Sequence, residues 1–106
     1  MIKVSVMYPS GDGATFDIDY YVNKHIPMVV ELCGPALHSA TVDAGLGGRE
    51  PGAPPPYLAI AHLVFDSIED FQNSMGPIQQ QLAADAPNYT DATPTLQISE
   101  IALGGQ

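Results

Sequence analysis

A run of nine residues, Tyr57 to Phe65, limits the possible folds of this chain more than any other feature. All of them are apolar or aromatic except His62, so a strand built from this run presents an apolar surface on both faces. Helices packed on one side of a sheet cover only one of these faces. The run therefore predicts an inner strand whose second face needs another cover.

Three further strands are predicted around this run. Ile2 to Tyr8 alternates apolar and polar residues before a turn rich in proline and glycine, and residues 37–44 form a more polar strand. Thr95 to Leu103 supplies the last strand. Residues 45–56 contain four glycines and four prolines, so we expect a loop between two strands that is mobile or covered by a partner.

The first of two predicted helices begins near Phe16, with Thr15 as its N-terminal cap. Pro27 interrupts it, because proline has no N–H to donate to the carbonyl one turn earlier. Gly34 followed by Pro35 ends the helix through a left-handed cap. We therefore expect a kink or a restart at Pro27.

The second predicted helix begins after Ser67, which forms a capping box with Asp70. Gly76 and Pro77 break it midway, with Pro77 as the first residue of a new helical segment. The segment stops before Pro87. Both helices are therefore expected to be discontinuous.

The resulting βαββαβ order predicts an α+β, ferredoxin-like sandwich in a single domain, residues 1–106. Both helices then lie on one face of an antiparallel sheet. The other face would be an apolar patch of a size that monomers rarely expose. We expect a second copy of the chain to cover this face, so that two sheets close into a dimeric α/β barrel. The alternative is a monomer with an exposed, moderately apolar face.

The charge balance excludes several classes of partner. Three Lys and Arg against twelve Asp and Glu give a net charge of −9, which disfavours nucleic acids and anionic membrane surfaces. Cys33 is the only cysteine, so no disulfide can form within the chain. With no signal peptide at Met1 and no apolar run of about 18 residues, we expect a soluble, cytoplasmic protein.

His25 is the candidate catalytic residue. On a helical projection it shares one apolar arc with Ile18, Tyr21, Val22 and Ile26, so it points inward beside the break at Pro27. An imidazole there could transfer a proton to or from an organic substrate without a metal. The alternative is a buried histidine that donates to a backbone carbonyl.

His62 has two possible locations. It shares a strand face with Leu58, Ile60 and Val64, and if that face meets the helices, His62 and His25 border one pocket. If it does not, His62 lies in the dimer core. Tyr8, Tyr21, His62 and Asn88 are the candidate substrate-binding residues, and the aromatic side chains that could form walls for a flat molecule are Tyr8, Tyr20, Tyr21, Tyr57, Phe65 and Tyr89.

No metal or nucleotide cofactor is expected. The three histidines, His25, His38 and His62, lack the spacing of a zinc or haem motif, and His38 is predicted at the surface or an interface. The glycines of residues 45–48 precede a proline-rich loop and not a helix, so they do not form a phosphate-binding motif. Cys33 is predicted to be a small core residue.

Five short blocks of the sequence resemble the EthD family, which is named after a protein linked to the degradation of ethyl tert-butyl ether. The blocks are Tyr8-Pro9, Phe16-Asp17-Ile18-Asp19-Tyr20-Tyr21 and Lys24-His25-Ile26-Pro27 near the start, and Pro87-Asn88-Tyr89-Thr90-Asp91 and Gln97-Ile98-Ser99-Glu100 near the end. The resemblance implies a ferredoxin-like subunit of a dimeric α/β barrel. It also places His25 in the His-x-Pro block of the family.

Two functions follow from these residues and the resemblance. The founding member of the family is tied to a cytochrome P450 degradation system, and related barrels include cofactor-free oxygenases, isomerases and cyclases. One hypothesis is a cofactor-independent enzyme acting on a small apolar compound in degradative or secondary metabolism, with His25 as acid or base. The other is a non-catalytic protein that binds such a compound alongside a P450 system; it needs the pocket but no titrating group.

Overall fold

A computed structural model describes residues 1–11 and 13–104. Four strands form one antiparallel sheet in the order β2-β3-β1-β4: β1 (Ile2–Pro9), β2 (Leu37–Ala44), β3 (Tyr57–Phe65) and β4 (Thr95–Glu100). This is the ferredoxin-like arrangement that the βαββαβ order predicts. β3 is an inner strand, as its apolar sequence requires.

The helices form two arms. The first arm, residues 18–33, consists of α1 (Ile18–Tyr20), a π-helical turn (Tyr21–His25) and α2 (Ile26–Cys33). The second arm, residues 68–88, consists of α3 (Ile68–Met75), a 3-10 turn (Gly76–Ile78), α4 (Gln79–Asp85) and a 3-10 turn (Ala86–Asn88). The predicted breaks at Pro27 and at Gly76-Pro77 are confirmed, although regular helix resumes only at Gln79. Among the described residues, no helix is long and apolar enough to cross a membrane.

The prediction that Thr15 caps the first helix is wrong. Asp17 is the cap, and its carboxylate accepts a hydrogen bond from the Tyr20 N–H at 3.1 Å. The N–H of Thr15 instead donates to the Asp91 carboxylate, and the neighbouring Phe16 forms a β-bridge with Thr90. The chain before the helix is thus occupied by pairing with residues 90–91, which delays the helix start.

Two other boundaries differ from the predictions. β4 ends at Glu100 and not at Leu103, because the register pairs Glu100 with Ile2, and a single bond from the Ile101 N–H to the Met1 carbonyl follows. Gly34 ends the first arm with a positive φ of 66°, which favours glycine, but its ψ of −149° is not that of a left-handed helical cap. Ser67 caps α3 as predicted.

The helical arms cover only one of the two sides of β3. Ala59, Ala61, Leu63 and Phe65 are buried beneath the two arms. The alternating residues Leu58, Ile60, His62 and Val64 point to the side without helices, which we call the open face, and are only half-buried. The register places Ser5 of β1 and Thr41 of β2 beside His62 on this face.

Candidate functional site

Pro27 shapes the first arm around His25. Since Pro27 cannot donate to the carbonyl of Asn23, the helix widens there, and the Ile26 N–H donates to the Tyr21 carbonyl five residues earlier. The wide turn leaves Tyr21 and His25 both buried, with their rings stacked at 5.2 Å and an interplanar angle of 14°. Val22, which the helical projection placed inward, is exposed because the turn has the wider π geometry.

Asp85 holds the imidazole of His25. Nδ1 of His25 lies 2.9 Å from Oδ2 of Asp85, which is the last residue of α4. An ionised carboxylate only accepts hydrogen bonds, so Nδ1 carries the proton and donates it. The partner of His25 is therefore a carboxylate from the second arm and not a backbone carbonyl.

Two more side chains donate to the same carboxylate. The Tyr20 hydroxyl lies 2.8 Å and the Asn88 amide nitrogen 2.9 Å from Oδ1 of Asp85. Partial burial alone would raise the pKa of Asp85, but the hydrogen bonds from Asn88, His25 and Tyr20 outweigh it and hold this pKa below the ordinary value. The carboxylate is thus fixed in its charged form beside His25.

Two tyrosine rings pack on His25, and a third tyrosine, Tyr8, contacts both of them. The ring of Tyr89 lies 4.7 Å from that of His25, and Tyr8 and Tyr89 share a hydrogen bond of 2.9 Å between their hydroxyls. The ring of Tyr21 lies 4.8 Å from that of Tyr89. Burial, together with the neighbouring Tyr8, raises the pKa of both Tyr21 and Tyr89, so their hydroxyls stay protonated at neutral pH.

These groups border a cavity of about 560 Å³ between the sheet and both arms. Its walls are mostly apolar, and its buried polar members are Tyr8, Tyr21, His25 and Tyr89. Among the described residues, Nε2 of His25 has no hydrogen-bond partner. Every fully buried side-chain nitrogen or oxygen of these residues has a partner, so Nε2 is not fully buried. Nε2 therefore opens into the cavity. A shallower recess of about 720 Å³ between residues 15–17 and 83–92 does not include His25.

The structure does not bring His62 to this site. His62 lies on the open face, with Nδ1 3.0 Å from the Ser5 hydroxyl and Nε2 3.4 Å from the carboxylate of Asp43. Of the two locations that the sequence left open, the one shared with His25 does not occur. Asn88 is exposed and contacts Asp85, so it can affect a ligand only through Asp85.

Other candidates lie away from the cavity. Phe65 packs with Phe71 in the neighbouring core cluster, and Tyr57 is not part of the cavity wall. His38 is exposed and lies 2.9 Å from the Asp66 carboxylate, while Cys33 is a buried core residue, both as predicted. Within residues 1–11 and 13–104, no three His, Cys, Asp or Glu side chains are grouped closely enough to hold a metal ion.

Asp85 is the site residue that the sequence analysis missed. A signal for it exists, because an acidic residue at the C-terminal end of a helix faces the negative end of the helix dipole. Such a residue lowers the stability of the helix unless donors compensate for it. A lone aspartate in an alanine-rich turn just before Pro87 is thus a local conflict of the kind that marks functional positions.

Comparison with known proteins agrees with this fold. The EthD domain model matches residues 13–93. An uncharacterized 11.0 kDa protein of the thcB-thcC intergenic region of Rhodococcus erythropolis is 31% identical over 102 residues, covering 94% of each chain.

Solved structures of other proteins also agree with this fold. A crystal structure of an EthD-like protein from Ralstonia eutropha JMP134 is similar, with a TM-score of 0.92 and 44% identity over 96% of this chain and 92% of that one. An EthD family protein from Bacillus halodurans C-125 has a TM-score of 0.64 at 22% identity, covering 94% of this chain and 97% of that one. HapK from Hahella chejuensis shares the fold alone, with a TM-score of 0.59 at 14% identity, covering 100% of this chain and 96% of that one. This chain belongs to the EthD family.

Proposed function

We propose that this chain is a cofactor-independent enzyme that acts on a small, largely apolar organic compound in degradative or secondary metabolism. His25 is its general acid or base. The observation that carries the proposal is the orientation of His25: Asp85 binds Nδ1 at 2.9 Å, and Nε2 opens into an apolar cavity of about 560 Å³.

This arrangement prepares His25 to accept a proton. With Nδ1–H bonded to a carboxylate, the lone pair of the neutral imidazole is on Nε2. When Nε2 takes a proton, the charge of Asp85 stabilises the imidazolium that forms. The fixed ring orientation also keeps Nε2 directed at the bound compound, which is what efficient proton transfer requires.

The competing function is a non-catalytic binding or accessory protein for the same class of compound, such as one that operates beside a cytochrome P450 system. The apolar cavity alone satisfies this role. Such a protein gains nothing from a histidine held in one tautomer by a carboxylate with two further donors. The Asp85 cluster therefore favours the enzyme.

The proposal includes a homodimer in the cytoplasm. Leu58, Ile60 and Val64 stand half-buried on the open face, and an apolar surface of this kind is normally covered in a stable protein. A second sheet packed against it would make the dimeric α/β barrel. The free, buried thiol of Cys33 fits a reducing compartment.

The test is a comparison of two histidine variants. Wild type, His25→Asn and His38→Asn are incubated with a panel of small ketones, lactones and phenols, and products are measured by liquid chromatography with mass spectrometry. His25→Asn should lower turnover about a hundredfold or more, because the acid-base group is lost. His38→Asn should leave turnover within about twofold, since His38 is exposed and substitutions at the surface away from the site have small effects.

Circular dichroism of each variant is the control for folding. Equal turnover by wild type and folded His25→Asn would reject the catalytic role. A compound that binds both proteins equally and is converted by neither would support the binding protein instead.

A further inference from the structure

Three buried tyrosine hydroxyls meet beside His25 and leave a donor without an acceptor. Tyr8, Tyr21 and Tyr89 are 3%, 2% and 5% exposed, and all three line the cavity. The hydroxyls of Tyr8 and Tyr89 share a hydrogen bond of 2.9 Å. Three hydroxyls carry three protons, so even a second bond, from Tyr21 to Tyr8, leaves one O–H free.

That donor lies close to an acceptor. The ring of His25 lies 5.2 Å from Tyr21 and 4.7 Å from Tyr89 between centroids, and its Nε2 opens into the same cavity. The cavity wall therefore carries an O–H donor and a basic nitrogen on neighbouring rings. A ligand that satisfies both needs an acceptor oxygen next to a group that can lose a proton.

The charges around the cavity disfavour an anionic ligand. The chain has only three Lys and Arg residues, Lys3, Lys24 and Arg49, and none of them lines the cavity. The ionised Asp85 lies directly behind His25. A carboxylate or phosphate would lose its hydration without gaining a cation, which is unfavourable in an apolar site.

We infer that the cavity takes a neutral, flat carbonyl compound whose oxygen accepts a hydrogen bond from the tyrosine cluster and whose α-carbon faces Nε2 of His25. This inference rests on the proposed function and names its substrate class. The α-proton moves to Nε2, the C–H electron pair forms a carbon–carbon double bond, and the carbonyl oxygen takes the resulting negative charge. The imidazolium then returns the proton to carbon or to oxygen, so no oxidant or reductant is needed.

The experiment measures the affinities of three probes that share one ring system. 2-Acetylnaphthalene supplies the carbonyl, naphthalene lacks it, and 2-naphthoate carries a negative charge instead. We expect the ketone to bind about tenfold or more tightly than naphthalene, which is the usual contribution of one well-placed hydrogen bond. 2-Naphthoate should bind at least about tenfold more weakly than the ketone, since its charge must be buried without a partner. Isothermal titration calorimetry gives each dissociation constant.

A Tyr8→Phe, Tyr21→Phe, Tyr89→Phe triple variant removes every hydroxyl of the tyrosine cluster and tests the cluster as the donor, with Tyr57→Phe as the matched control outside the cavity. The triple variant should bind ketone and naphthalene equally while keeping the wild-type affinity for naphthalene, which also shows that its cavity is intact. Tyr57→Phe should keep the preference for the ketone.

Equal wild-type affinity for ketone and naphthalene, or tightest binding of 2-naphthoate, would overturn the inference. The titration measures binding alone. A ketone preference in a protein whose His25→Asn variant shows unchanged turnover would therefore support the ligand class and reject the proposed catalysis.

Discussion

Each face of the sheet carries a histidine that contacts an aspartate, and the two pairs differ in almost every other respect. His25 and Asp85 lie 2.9 Å apart and join the two helical arms, with side chains 6% and 17% exposed. His62 and Asp43 lie 3.4 Å apart on the open face, with side chains 25% and 71% exposed. The same two residue types therefore occupy a buried site and a largely solvated one.

The difference shows that the surroundings determine the role of such a pair. An exposed ion pair contributes about 0–1 kcal/mol, because water screens it and both side chains lose conformational freedom. In the buried pair, three side chains donate to Asp85, and the buried His25 would lose the acceptor of its Nδ1–H without it. The buried pair is thus part of a network, whereas the exposed pair is a local contact.

Substitutions at adjacent positions of β3 should show the largest contrast between the two faces. Phe65 is fully buried and packs on Phe71, so Phe65→Ala should lower the free energy of unfolding by about 3–5 kcal/mol. Val64→Ala, on the open face, should lower it by about 1 kcal/mol within one chain. Urea denaturation of the two variants measures both values.

The same pair of positions tests the proposed homodimer. If a second copy covers the open face, Val64→Ala removes contacts between the copies, and its dimer should dissociate at a higher protein concentration than the wild-type dimer. Sedimentation velocity over a dilution series detects this shift. A wild-type protein that stays monomeric at high concentration would contradict the dimer and leave the open face as a solvated surface.

Substitutions of the two aspartates should show a smaller difference in the free energy of unfolding. Asp85→Ala leaves Tyr20, His25 and Asn88 without their acceptor and should lower the free energy of unfolding by about 2–4 kcal/mol at neutral pH. Asp43→Ala should lower it by less than about 1 kcal/mol. Equal losses in urea denaturation would mean that the open-face pair is buried in the assembled protein.

Much of the fold could be predicted because its signals are local. The bounds of β2 and β3 follow from residue patterns, and the breaks in both arms follow from proline chemistry at Pro27 and Pro77. The start of the first helix could not be placed in this way. Asp17 replaces Thr15 as the cap because of a pairing with residues 90–91, which lie far away in the sequence.

The site was predictable only in part, for the same reason. The inward position of His25 follows from helical periodicity, but its bond to Asp85 joins residues 60 positions apart. Nor can alternation within β3 show which of its faces meets the helices, so the location of His62 required the sheet register. Contacts between distant segments decide both points.

The smallest expected effect is the pH dependence that Asp85 adds to the free energy of unfolding. Hydrogen bonds from Asn88, His25 and Tyr20 hold its folded pKa below the ordinary value of 3.8, so its contribution to stability is complete above pH 3.8 and is lost as the pH falls through the folded pKa. Asp85→Asn cannot titrate at this position. The difference in free energy of unfolding between wild type and Asp85→Asn should therefore narrow on acidification below 3.8.

Val64→Ala is the matched control, because it changes no titratable group and its difference from wild type should stay constant with pH. Urea denaturation from about pH 5 down to the lowest pH of reversible folding gives both differences. If the difference in free energy of unfolding between wild type and Asp85→Asn stays constant or widens in acid, the folded state does not favour the ionised carboxylate. The hydrogen-bonded cluster would then not be what separates the buried aspartate from its open-face counterpart.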